Sequence, residues 1–173
     1  MYGQEMMDYK KTKRIYGDNK GLIGSVYDLT YEPTKINKRI YLGNAYNARD
    51  YYNLEENNIG MVINCSRTIP NYFEDDFEYE RVDVNDTPGQ DILKYIDEIV
   101  VKMNKFLKKN PKKNILVHCF MGSSRSATIV IAYIMKYIGY RRRDALNFVK
   151  SKRDLVNINI DFFNQLSEFE KTL

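Results

Sequence analysis

Apolar residues fall in short runs along most of this chain, and their spacing switches repeatedly between strand-like and helical. The runs at Val26–Leu29, Arg39–Leu42, Met61–Cys65, Tyr79–Val84 and Ile115–His118 have the length and composition of strands. Ala45–Asn57 and Asp91–Lys109 carry helical spacing. In the second, Ile92, Ile96, Ile99, Val100, Met103 and Leu107 share one face. Ser126–Ile138 is apolar nearly all round, which predicts a buried helix. Arg143–Lys152 and Asp161–Lys171 follow, with Ala145, Phe148 and Val149, then Phe162, Leu166 and Phe169, facing inward. Asn110-Pro111 ends the long helix and Gly139 stops the buried one. Strands alternating with helices, then a run of helices, predict an α/β fold whose sheet is covered on both faces.

Residues 1–25 stand outside this pattern. They are polar, glycine-bearing and locally basic through Lys10, Lys11, Lys13 and Arg14, and read as an extension with at most a short helix. Residues 26–173 then form the domain, and 173 residues suffice for one domain with its own core. No apolar run is long enough for a transmembrane segment or a secretory signal, so no membrane association is expected. Tyr2 excludes the N-myristoylation pattern.

A formal net charge of +4 is compatible with phosphorylated or acidic substrates but too small and dispersed to argue for nucleic acid. Arg141-Arg142-Arg143, at a helix start, reads as a solvated face rather than a docking patch. Cys65 and Cys119, the chain's 2 cysteines, make no disulfide framework and point to a reducing compartment, the cytoplasm. They cannot build a zinc site with a single histidine, His118, and neither a metal nor an organic cofactor is implied.

The chemistry concentrates in Ile115-Leu116-Val117-His118-Cys119-Phe120-Met121-Gly122-Ser123-Ser124-Arg125-Ser126. A strand ends in His-Cys, and an Arg and a Ser then open a helix. Backbone amides and a helix N-terminus therefore converge on the Cys119 thiol, an arrangement that favours a thiolate and holds an oxyanion against it. Gly122 allows the tight turn. Arg125 offers a planar fork to two phosphate oxygens, which a lysine cannot reproduce. Ser126 can cap the helix and donate its hydroxyl to sulfur when Cys119 leaves. His118 reads as an imidazole hydrogen-bonded beneath the loop rather than a proton shuttle. Phe120 and Met121 are apolar at the rim, and with Ser123 and Ser124 they complete a substrate-binding loop free of charge apart from Arg125.

His118-Cys119-x-x-Gly122-x-x-Arg125-Ser126 resembles the protein-tyrosine-phosphatase signature, and its continuation through Thr128-Ile129 and Ala132-Tyr133 resembles the dual-specificity branch. Ile40-Tyr41-Leu42-Gly43-Asn44-Ala45 and Ala145-Leu146-Asn147-Phe148-Val149-Lys150 with Arg153, Asn159, Phe162 and Gln165-Leu166 extend the likeness from about Val26 to the C-terminus. The resemblance implies a mostly parallel sheet of about five strands flanked by helices, with the phosphate loop between a strand and a buried helix. It implies hydrolysis of phosphotyrosine and phosphoserine or phosphothreonine in proteins through a phosphocysteine, with Cys119 as nucleophile and Arg125 binding phosphate. Asp86, on the loop Val84-Asn85-Asp86-Thr87-Pro88-Gly89, matches the family's general acid. Asp83 is discounted as part of the strand, and Asp91 is expected at the next helix start. Arg153 is expected to bind substrate beside the pocket and Asn159 to brace neighbouring loops, although Ile158 stands where the family usually has proline.

Cys65 reads as a small buried hydrophobe, with a reversible disulfide to Cys119 as the alternative. The compact core also resembles members encoded by large DNA viruses, which would put the protein in a host cytoplasm or virion and implies a homodimer through residues 1–25. The same chemistry on 5′-phosphorylated RNA or phosphoinositides, or a module that binds phosphoproteins without turnover, are the competing readings.

Overall fold

A computed structural model describes residues 32–173. The extension at 1–25, the homodimer contact assigned to it and the strand expected at Val26–Leu29 lie outside the described residues.

The described residues build an α/β fold around one sheet. Strand β1 (Thr34–Lys35) runs antiparallel to β2 (Ile40–Gly43), while β3 (Ile59–Asn64), β4 (Glu78–Arg81) and β5 (Asn114–His118) complete the order β1-β2-β5-β3-β4. All pairings other than β1–β2 are parallel. Parallel strands covered on both faces need a near-continuous apolar run, and β2, β3 and β5 have one, broken by polar residues only at the ends of β3 and β5. The strand period of two then sorts their side chains. Ile40, Leu42, Met61, Ile63, Ile115 and Val117 face the larger core, whereas Tyr41, Val62 and Leu116 face a smaller one with Ala48, Leu54 and Phe77.

The smaller face is covered by α1 (Ala45–Ala48) and α2 (Tyr51–Glu56), where one helix was expected. The break is a matter of capping. Asn44 and Asn47 form a reciprocal capping box, and the Asp50 carboxylate then accepts the Asn53 N–H at 3.1 Å and starts a second helix. The larger face is covered by α3 (Leu93–Lys109), α4 (Arg125–Tyr133), α5 (Arg142–Lys152) and α6 (Ile160–Glu170). Helix α4 is buried on every side, as its all-round apolarity predicts, and runs into a π turn at Ile134–Ile138. Gly139, at φ +85°, closes that turn and donates its N–H to the Ile134 carbonyl at 3.1 Å.

Strand β4 is shorter than the apolar pattern suggests. Val82 and Val84 are buried, but the Val84 N–H turns back to the Val82 carbonyl at 3.0 Å and ends the strand before the acidic loop. No helix among the described residues is long and apolar enough to cross a membrane.

Candidate active site

Strand β5 is central in the sheet, so the residues after it emerge from the best-supported part of the molecule. His118 and Cys119 are buried, and the chain then curls into a loop that ends at the N-terminus of α4. The curl depends on one glycine, packed against the backbone carbonyl of Gly43. Gly122 has φ +68°, and a Cβ there would stand 2.4 Å from the Gly43 carbonyl oxygen. Only a residue without a side chain lets the loop lie against the end of β2.

Every loop carbonyl from Phe120 to Ser124 is engaged away from the loop's centre. The Phe120 carbonyl accepts the Ala45 N–H at 3.1 Å, and the Ser123 carbonyl accepts the Asn157 N–H at 2.9 Å. Arg153 donates to the Gly122 carbonyl through Nε at 3.0 Å and to the Met121 carbonyl through Nη2 at 3.2 Å. The Ser124 carbonyl takes both the N–H and the hydroxyl of Thr128 at 2.8 Å. With the carbonyls held outside, the amides are left for the interior, which makes the loop an anion-binding nest. The Cys119 Sγ already occupies it, accepting the Gly122 N–H at 3.2 Å and the Ser126 hydroxyl at 3.1 Å.

Ser126 thus spends its hydroxyl on sulfur rather than on capping; the N-cap position belongs to Ser124, which makes no side-chain cap bond. Arg125 donates from Nη1 to the Val84 carbonyl at 3.3 Å, while its buried Nε–H has no partner. That orphaned donor is what an oxyanion in the loop would engage. Arg153, expected to bind substrate, spends its guanidinium on the loop's own carbonyls. It is fully buried and braces the loop from behind, its Nη1 donating to the Thr34 hydroxyl at 3.0 Å. Burial weakens its hold on its proton, and the Cys119 sulfur acts to restore it.

His118 also differs from expectation. It is buried beneath the loop, but neither ring nitrogen meets a well-aligned hydrogen-bond partner. Burial brings its pKa down to about 4, with Arg81 and Arg125 adding to the effect and the Cys119 backbone opposing it, so the imidazole is neutral. Cys65 is a buried free thiol on the neighbouring strand, and its N–H donates to the His118 carbonyl at 2.8 Å. Burial and the nearby Cys119 sulfur push its pKa well above the ordinary thiol value.

Asp86 stands on the exposed loop between β4 and α3. Its Oδ1 accepts the Ser124 hydroxyl at 2.9 Å and an Asn159 amide N–H at 2.7 Å, so the carboxyl is tied to the residue that precedes Arg125. Asn159 also caps α6, accepting the Phe162 N–H at 2.9 Å. Ser124, read as a substrate contact, is buried and serves as this tether. Asp83 instead pairs with Arg67 at 2.9 Å, and Asp91 accepts the Lys94 N–H in the first turn of α3. At the mouth, Phe120 and Met121 are 60% and 57% exposed, and so lie at the rim and not in the core.

The sequence pattern did not reveal the Gly43–Gly122 approach, the Thr34 contact, or the bonds from α6 to the acidic loop through Asp161 and Gln165. The one cue was that the Asn159 to Leu166 stretch carries polar residues at positions a turn apart. In the Arg141–Arg143 run, Arg142 is a packing residue, its Nη1 donating to the Phe163 carbonyl at 2.9 Å and its guanidinium lying 4.0 Å from the Phe163 ring.

Residues 40–172 match the family described as "Dual specificity phosphatase, catalytic domain". Protein phosphatase Slingshot of Drosophila melanogaster is 38% identical over 141 residues, which cover 82% of this chain and 13% of that much longer relative. Dual specificity protein phosphatase 14 of Mus musculus is 37% identical over 139 residues, covering 80% of this chain and 69% of the relative. The crystal structure of human tyrosine phosphatase-like serine/threonine/tyrosine-interacting protein superposes with a TM-score of 0.78 at 30% identity, covering 82% of this chain and 97% of that one.

Proposed function

The chain belongs to the dual specificity phosphatase family, and from that premise we propose that it hydrolyses phosphotyrosine and phosphoserine or phosphothreonine in proteins through a phosphocysteine intermediate. One observation carries the reading: a buried sulfur receives two donors inside a loop whose carbonyls all face outward, with a tethered carboxyl at its edge.

A phosphoryl group entering the loop meets the inward amides and the free Nε–H of Arg125, which neutralise its equatorial oxygens. The Cys119 sulfur attacks phosphorus, forming the S–P bond as the P–O bond to the leaving group breaks. Asp86 gives its proton to the departing oxygen. The Ser124 and Asn159 bonds both go to Oδ1, which leaves Oδ2 to carry that proton. In the second half, water attacks phosphorus, Asp86 takes its proton, and the S–P bond breaks to release inorganic phosphate. The returning negative charge on sulfur is met by the Ser126 hydroxyl and the Gly122 N–H.

Phe120 and Met121 give the mouth an apolar, uncharged rim, which supports a protein rather than an RNA or lipid substrate. A cytoplasmic location is our reading of an enzyme whose nucleophile must be reduced to act and whose two cysteines are free thiols. Homodimerisation through residues 1–25 and a viral source rest on the resemblance alone; gel filtration of a protein lacking residues 1–25 tests the first.

The deciding experiment is phosphate release from a phosphotyrosine peptide, a phosphothreonine peptide, a phosphoinositide and 5′-triphosphorylated RNA, with Cys119→Ser as control. Turnover of both peptides, lost in the control, is expected. Selective turnover of lipid or RNA would overturn the substrate class, and phosphopeptide binding without turnover would make the loop a recognition device.

A further inference from the structure

The loop that carries Asp86 has little packing of its own, with residues 86–89 exposed. It is held from α6. Asp161 Oδ2 accepts the Gly89 N–H at 3.0 Å. One turn further on, Gln165 uses both ends of its amide. Its Oε1 accepts the N–H groups of Ile92 and Leu93, both at 2.9 Å, and so caps α3, whose own N-cap residue supplies no side-chain bond. Its Nε2 donates to the Gln90 carbonyl at 2.8 Å, and the Gln90 Oε1 accepts the Asn85 N–H at 3.1 Å. Gln165 therefore reaches the residue just before Asp86 through the one residue Gln90.

We propose that Gln165 is a positioning residue for proton transfer: acting through Gln90, it sets where the Asp86 carboxyl stands relative to the leaving oxygen. The inference rests on the reading of Asp86 as general acid. A general acid works only within about 2.6–3.2 Å of the atom it protonates. A misplacement of about 1 Å, even from a change remote from the chemistry, can cost roughly 100-fold. An exposed loop that carries such an acid needs external holds: Ser124 and Asn159 fix one carboxyl oxygen, and the Gln165–Gln90 pair fixes the backbone from which Asp86 projects.

The two duties of Gln165 can be separated. In Gln165→Glu the carboxylate still accepts both N–H groups and suits a helix N-terminus, so the α3 cap survives. It cannot donate to the Gln90 carbonyl and repels it instead. Gln90→Leu leaves the cap untouched and removes the bond to Asn85.

The readout is kcat/KM on aryl phosphates whose leaving phenols rise in basicity from 2,4-dinitrophenol to phenol. The series is measured on the parent, Asp86→Asn, Gln165→Glu and Gln90→Leu, with inhibition by inorganic phosphate alongside. Good leaving groups depart unprotonated, and poor ones need the acid. The parent should show a shallow dependence and Asp86→Asn a steep one. Gln165→Glu and Gln90→Leu should fall between, slowed about 10-fold on phenyl phosphate and less than about 2-fold on 2,4-dinitrophenyl phosphate, with phosphate inhibition unchanged. If both keep the parent's slope, or lose all substrates equally, while Asp86→Asn steepens, Gln165 is merely structural and the reading of Asp86 stands. A shallow dependence in Asp86→Asn itself would remove Asp86 as the acid, and the inference with it.

Discussion

Ser126 and Gly122 each direct one donor at the Cys119 sulfur, but substitutions at the two should fail in different ways. The Ser126 hydroxyl matters most when sulfur regains its charge as the S–P bond breaks. A hydrogen bond to a charged group is worth about 1.5–3 kcal/mol, which corresponds to roughly 10–100-fold in rate. Ser126→Ala should therefore lower kcat by that factor and kcat/KM much less, so a rapid burst of leaving group precedes slow turnover. Equal loss in both constants, with no burst in stopped-flow, would place the effect on the first step instead. Gly122→Ala is a backbone lesion. An L-residue in the left-handed region costs about 1–2 kcal/mol, and the new Cβ would meet the Gly43 carbonyl at 2.4 Å. The loop must re-form, so vanadate affinity and kcat/KM should both drop by more than about 100-fold. Isothermal titration with vanadate checks this independently of turnover.

At the scale of elements, the C-terminal end of α5 shapes the phosphate loop as much as β5 does, because Arg153 supplies donors to two of its carbonyls. Arg153→Lys keeps the charge but cannot serve Gly122, Met121 and Thr34 together. Each buried carbonyl left unpaired costs about 1–3 kcal/mol, so a lowered urea midpoint and an aryl phosphate KM raised about 10-fold are expected. An unchanged KM would mean that the loop holds its shape without this brace. What was legible in the sequence follows the same division. Strands β2, β3 and β5 and helices α3 and α4 are written in local apolar spacing, and the Cys119 to Ser126 loop in a compact motif. The break between α1 and α2 was not, since it turns on Asp50 competing as a cap against continued helix. Nor was two-residue β1, which exists through its register with Tyr41 and Leu42. Arg153 and Gln165 were visible as residues but misread or passed over as parts. Their partners lie 31 and 75 positions away, a distance that periodicity does not encode.

For the whole molecule, the buried imidazole of His118 ties stability to pH. Its pKa is brought from the ordinary 6.5 to about 4 in the folded protein, chiefly by burial. As pH falls below about 6.5, the unfolded chain takes up this proton while the folded one does not. The unfolded state thus binds more protons, and stability is lost as pH falls from about 6.5 towards 4. It is present in full only above that window. By pH 5 the loss from this one group is about 2 kcal/mol, a sizeable share of the 5–15 kcal/mol that ordinarily holds a domain together. Carboxylates add their own pH dependence, so the test compares two proteins. Urea midpoints at pH 7.5, 6.5, 5.5 and 5 should fall more steeply for the parent than for His118→Asn, which has no proton to gain. The variant starts less stable at pH 7.5 because it is smaller than the imidazole it replaces, and the gap should narrow as pH drops. A constant gap across the series would mean that His118 protonates in the fold as readily as in the unfolded chain. A positive charge would then sit beneath the phosphate loop at pH 5, and the loop would not have a neutral floor.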